Sequence, residues 1–182
     1  MSQNLYDIPL RTIQGQPTTL GAFKGKALLV VNVASECGLT PQYAALERLH
    51  ESYASKGLAV LGFPANEFGA QEPGTNAEIQ DFCQSKFGVK FPMFEKIVVK
   101  GPGQHPLYKA LTDALPVAQS KNGTAFEDKL RGYGLMRETK QDVLWNFEKF
   151  LIRRDGKPVA RFNPDMTPDD PTILEAIESA LK

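Results

Sequence analysis

Two apolar runs on either side of one amphipathic stretch constrain the fold more than any other feature of this chain. The first is Ala27-Leu28-Leu29-Val30-Val31-Asn32-Val33-Ala34 and the second Leu58-Ala59-Val60-Leu61-Gly62-Phe63. Runs of that length without polar alternation suit strands covered on both faces, as in a parallel sheet. Between them Tyr43, Leu46, Leu49 and Tyr53 recur at helical spacing, which predicts an amphipathic helix over residues 41–55. Thr40-Pro41 offers an N-cap followed by proline at the first helical position, and Lys56-Gly57 offers a stop. Strand, helix and strand form a βαβ unit, whose crossover is expected to be right-handed.

The remaining elements are read from local signals. Short alternation between Leu5 and Leu20, around Gln14-Gly15-Gln16-Pro17, suggests a hairpin. After a polar loop from Ala65 to Gly74, Thr75 and Glu78 make a capping-box pattern ahead of Ile79, Phe82 and Phe87, predicting a helix over 76–87. A short strand is expected near Lys96 to Val99, and a helix around Pro106, Leu107, Tyr108 and Leu111. Residues 116–141 are polar and poorly periodic. Strands at Phe147–Ile152 and Pro158–Phe162 flank Asp155-Gly156, a strong hairpin signal. Asp170-Pro171 caps a closing helix with Ile173, Leu174, Ile177 and Leu181 on its apolar stripe. This order predicts an α/β fold, a thioredoxin-like sandwich with a mixed central sheet flanked by helices, with residues 1–182 forming a single domain.

Charge and cysteine usage exclude several classes. The 21 basic and 21 acidic side chains give zero formal net charge, and no basic patch or tail suggests nucleic acid or an acidic membrane surface. Met1 to Leu5 has neither a basic n-region nor an apolar h-region, so no secretory signal is expected. The apolar runs are too short to span a bilayer, so no integral membrane association is expected. Two cysteines, Cys37 and Cys83, are too few for a disulfide framework and lack C-x-x-C spacing. With only His50 and His105 beside them, neither a zinc site nor any other cofactor is expected. Reactive sulfur in a reducing cytoplasm is the natural inference.

Cys37 follows the first apolar run, after Ser35-Glu36, and precedes Gly38-Leu39-Thr40-Pro41. Unpaired amides ahead of a helix favour negative charge, and the thiolate is the nucleophilic form of cysteine. The plain alternative is a small buried thiol filling core space. Two further segments look chemically purposeful. The tight loop Phe68-Gly69-Ala70-Gln71-Glu72-Pro73-Gly74 can hold Gln71 rigidly, and Trp145-Asn146-Phe147 carries the only tryptophan. Each also has an ordinary reading: a loop amide for Gln71, a core aromatic for Trp145, a turn cap for Asn146.

Four strings in order resemble the glutathione peroxidase family, most closely its bacterial, cysteine-containing branch with its enteric thioredoxin- or glutathione-dependent members. They are Asn32-Val33-Ala34-Ser35-Glu36-Cys37-Gly38-Leu39-Thr40, Gly62-Phe63-Pro64-Ala65-Asn66-Glu67-Phe68, Gln71-Glu72-Pro73-Gly74 and Trp145-Asn146-Phe147-Glu148-Lys149-Phe150. The resemblance implies a peroxidase domain in which Cys37 is the peroxidatic cysteine and works with Gln71, Trp145 and Asn146. It implies reduction of hydrogen peroxide and organic hydroperoxides through a cysteine sulfenic acid, thioredoxin or glutathione as electron donor, and an antioxidant role in the response to oxidative stress. The residue types suit that chemistry, because two amides and an indole N–H can each donate to a thiolate. Such charge-assisted bonds contribute roughly 1.5–3 kcal/mol each.

The chain also departs from the family pattern. Ala65 stands where many members carry a cysteine, and Glu67 replaces the usual Gln. In thioredoxin-dependent relatives the resolving cysteine lies in the helix after the Q-E-P-G loop, at the position of Gln84; here the cysteine is Cys83. One residue is roughly 100° around a helix, so Cys83 is either a resolving cysteine or a half-buried structural thiol. Two other functions share these residues: a peroxide sensor or redox relay that passes oxidation from Cys37 to a partner protein, and a silent thioredoxin-like binding module. A silent module needs none of the four polar site residues.

Overall fold

The hairpin expected around Gln14–Pro17 is short: β1 (Leu10–Arg11) pairs antiparallel with β2 (Pro17–Thr18). The computed structural model describes residues 4–182; Met1 to Gln3, on which the leader expectation partly falls, lie outside the described residues. The two apolar runs become β3 (Ala27–Val33) and β4 (Leu58–Pro64), and every residue of both strands is buried. They pair in parallel register from Ala27↔Leu58 to Val33↔Pro64, with α1 (Gln42–Tyr53) as the crossover. Tyr43, Leu46 and Leu49 turn inward, as the spacing predicts.

Next along the chain come α2 (Asn76–Phe87), α3 (Pro106–Ala114) and α4 (Ala125–Gly132). Thr75 and Glu78 form the reciprocal capping box at the start of α2, with bonds of 3.2 and 3.1 Å. The chain closes with β5 (Lys149–Ile152), β6 (Pro158–Phe162) and α5 (Pro171–Ala180), the last capped by Asp170 through the Thr172 N–H at 2.8 Å. The four-stranded sheet runs β4-β3-β5-β6, parallel between β3 and β4 and antiparallel elsewhere. This is the mixed sheet flanked by helices of a thioredoxin-like sandwich. No helix among the described residues is long and apolar enough to cross a membrane.

Three local expectations need correction, and residues 116–141 gain an element. Thr40 does not cap α1. Its hydroxyl instead accepts from the Cys37 N–H at 3.0 Å and donates to the Ala34 carbonyl at 2.8 Å, a local bond that competes with capping. Lys96 to Val99 is not a strand. Its N–H groups go to Asn76 Oδ1 (from Lys96), the Pro64 carbonyl (from Ile97) and Glu67 Oε1 (from Val99), so no ladder can form. The unreadable stretch 116–141 holds α4, whose only buried residue, Leu130, is too little to make a stripe. The strand expected from Phe147 starts at Lys149, because Phe147 sits at φ 68°, a left-handed conformation that ends an extended run.

The register brings three segments to one end of the sheet. Val33 pairs with Pro64, so the chain leaving β3 and the chain leaving β4 emerge side by side. Val31 pairs with Lys149, so the residues just before β5 arrive at the same end. Cys37, the 65–74 loop and Trp145-Asn146 belong to these three segments.

Candidate active site

Asn32 is the buried polar residue within the first apolar run, and its bonds anchor the site. Its side-chain amide donates to the Trp145 carbonyl at 3.1 Å, and its own carbonyl accepts the Phe147 N–H at 2.6 Å. The Trp145–Phe147 segment is thus tied directly to the end of β3. A second tie comes from a buried ion pair. Arg161 Nε donates to Glu148 Oε2 at 2.7 Å, and both side chains are wholly buried. Glu148 Oε1 accepts the Leu144 N–H at 3.0 Å, while the same Arg161 guanidinium donates to the Asp142 carbonyl at 3.0 Å. The pair therefore fixes the approach to Trp145. No sequence signal pointed to it, because the partners become neighbours only through the β5–β6 hairpin.

The Cys37 turn is built from its own backbone and Thr40. Cys37 is buried, at 7% exposure, and its Sγ accepts the Leu39 N–H at 3.3 Å. That amide lies in the turn ahead of α1, which supports the expected amide contact although the helix itself begins only at Gln42. The Glu36 N–H, one residue before Cys37, donates to the Gln71 carbonyl at 3.0 Å. This bond joins the Cys37 turn to the Gln71 loop.

Left-handed backbone makes that loop tight. Gly69 and Ala70 both adopt left-handed backbone, at φ 69° and 52°. For Ala70 this costs about 1 kcal/mol, so its surroundings must hold it there. A Cβ at Gly69 would lie 3.3 Å from Trp145 Cη2, which shows how closely the loop backbone approaches the indole. Phe68 packs against the same ring with centroids 5.6 Å apart. Asn146 Nδ2 donates to Gln71 Oε1 at 3.0 Å. With its oxygen so occupied, the Gln71 amide presents its nitrogen as the available donor. Gln71 and Asn146 are thus bonded side chain to side chain, Trp145 precedes Asn146 and packs on Phe68, and the Glu36–Gln71 bond ties the loop backbone to the Cys37 turn; among the described residues the hydrogen bond that reaches the Cys37 sulfur comes from the Leu39 N–H.

Glu72 follows Gln71 and is buried, with its N–H on Asn66 Oδ1 at 2.9 Å. Burial raises its carboxyl above the usual carboxylate range, partly offset by Ser35. Glu67 takes a structural role: Oε1 accepts the Val99 N–H at 2.6 Å, and burial raises that carboxyl too.

Cys83 lies on α2, outside the bonds that join this group. It is 1% exposed and faces inward with Ile79, one helical turn earlier on α2. The expected half-buried thiol is therefore fully buried, and the Ile79–Cys83 spacing of four residues was the signal for it. Burial pushes its thiol up to about 11, with hydrogen bonding to Tyr43 of α1 lowering it and Glu72 raising it. Both cysteines are free thiols.

Comparison with known proteins adds to this geometry. A family model described as glutathione peroxidase matches residues 5–112. The chain is 48% identical over 181 residues to the thioredoxin/glutathione peroxidase BtuE of Escherichia coli K12, covering 100% of this chain and 99% of that protein. It is 43% identical over 181 residues to a hydroperoxy fatty acid reductase of Synechocystis, covering 99% and 97%. Among solved structures, T. cruzi GPX1 superposes with a TM-score of 0.69 at 30% identity, over 98% of this chain and 97% of that one.

Proposed function

Because this chain belongs to the glutathione peroxidase family and is a peroxidase, we propose that Cys37 is its peroxidatic nucleophile and that Gln71, Trp145 and Asn146 serve that sulfur as hydrogen-bond donors. The reading is supported above all by one observation. Asn146 donates to Gln71 Oε1, while the Gln71 carbonyl accepts from Glu36, the residue next to Cys37. In this reading the Cys37 thiolate attacks one peroxide oxygen. The S–O bond forms as the O–O bond breaks, and the other oxygen takes a proton and leaves as water or an alcohol. Charge develops on that leaving oxygen, and donors already in place stabilise it without reorganising. Cys37 is left as a sulfenic acid, the first and reversible rung of cysteine oxidation.

Hydrogen peroxide and small organic hydroperoxides are the proposed substrates, with thioredoxin or glutathione as electron donor. A reducing cytoplasm is the proposed setting and defence against oxidative stress the proposed role. Two donor routes follow from the state of Cys83. In the first, Cys83 attacks the sulfenic sulfur, the S–S bond forms, water leaves, and thioredoxin reduces the disulfide. Cys83 is buried, and burial raises its thiol to about 11, so this route requires α2 to open locally before the attack. Opening returns the thiol to its ordinary range, about 8.5, and resolution should then quicken as pH rises toward that value. In the second route a small thiol such as glutathione reduces the sulfenic acid directly and Cys83 stays in the core.

We favour the first route, since no third cysteine exists in the chain. Steady-state peroxide consumption with thioredoxin and glutathione systems, in wild type and in Cys83→Ser, tests it. Thioredoxin-driven turnover should be lost in Cys83→Ser. Retention of that turnover, or faster turnover with glutathione in both proteins, contradicts the Cys83 route. Consumption of about one peroxide per protein with either donor points to a sensor or relay instead.

A further inference from the structure

Lys96 grips the loop that carries Gln71. Its ammonium donates to the Glu72 carbonyl at 2.9 Å and to the Gly74 carbonyl at 2.6 Å. Its own N–H donates to Asn76 Oδ1 at 2.9 Å, so the residue also meets the first turn of α2. Two carbonyls on one ammonium close residues 72–74 into a ring around Nζ. A lysine suits this position because its compact head rotates to serve several acceptors.

The other side of Gln71 explains why such a clamp matters. Gly69 and Ala70 hold left-handed backbone, and a non-glycine residue stays there only when its surroundings over-determine it. The loop is held at Gln71 by Glu36 and at Glu72 by Asn66. Lys96 completes that set on the C-terminal side, between the strained turn and the start of α2. It also places positive charge in the field of two buried or half-buried carboxyls, Glu72 and Glu67.

We propose that Lys96 is a positioning residue for peroxide reduction: by bridging the Glu72 and Gly74 carbonyls it fixes the Gln71 amide at the Cys37 end of the sheet. This rests on the role given to Gln71 above. Lys96 touches none of the reacting atoms; it acts through the loop.

The test is the rate of Cys37 oxidation by hydrogen peroxide in a single turnover for Lys96→Met, Lys96→Arg, Gln71→Ala and the Lys96→Met/Gln71→Ala double variant. Lys96→Met should slow oxidation about tenfold or more, as loss of a preorganised donor does. Lys96→Arg should recover most of the rate. In the Gln71→Ala background, Lys96→Met should cost less than about twofold more, since residues acting as one unit are not additive.

A Lys96→Met rate close to wild type, or a loss that repeats in full on top of Gln71→Ala, overturns the inference while leaving the role of Gln71 intact. A wild-type rate in Gln71→Ala overturns both. If Lys96→Met does not fold, Lys96→Gln runs the same cycle, keeping a donor but losing the charge and the second bridge.

Discussion

Cys37→Ser should abolish hydroperoxide reduction, with either thioredoxin or glutathione as donor. The serine hydroxyl does not ionise usefully at neutral pH, so the attacking species, the thiolate, disappears. The fold should survive the change. Cys37 is buried beside the Leu39 N–H, and serine is nearly the same size and can accept the same bond. Far-UV circular dichroism and the thermal midpoint should therefore stay close to wild type while the rate falls to background. Residual activity well above background in a folded Cys37→Ser protein would mean that another group attacks the peroxide.

Trp145→Phe should slow Cys37 oxidation by roughly ten- to a thousandfold, the range expected when a donor supplying about 1.4–4 kcal/mol to the transition state is removed. The substitution separates the indole N–H from its packing. Phenylalanine can still face Phe68, and the Trp145 carbonyl, which accepts from Asn32, is untouched. The loop backbone against the ring, near Gly69, loses some contact, so a small fall in stability should accompany the loss of rate. Rapid mixing with hydrogen peroxide, read as loss of free thiol, checks it. An oxidation rate equal to wild type would return Trp145 to a packing role.

The sequence carried those parts of the fold whose signals are local. The two apolar runs announced β3 and β4 because both faces of each strand are covered, and the capping patterns at Thr75 and Asp170 marked two helix starts. The parts that stayed illegible depend on distant partners. Nothing local shows that Lys96 to Val99 is held by Asn76, Pro64 and Glu67 rather than by a neighbouring strand. The Glu148–Arg161 pair, the clamp at Lys96 and the left-handed Phe147 likewise arise only once the sheet has formed. The candidate site residues could be named from the motif strings. What joins them, the Asn146–Gln71 and Glu36–Gln71 bonds, needed the register that brings three segments to one sheet end. Cys83 shows the limit in the other direction. The helix was legible, but the face its cysteine occupies follows from pairing with Ile79, which the aromatic residues Phe82 and Phe87 obscured.

The most direct test of the account is chemical identification of the oxidised sulfur. Reduced Cys83→Ser protein should be mixed with one equivalent of hydrogen peroxide in the presence of dimedone, which traps sulfenic acids, and the peptides then weighed by mass spectrometry. The account predicts stoichiometric peroxide consumption and a dimedone adduct on the Cys37 peptide alone. Peroxide consumed while Cys37 remains an unmodified thiol would contradict it.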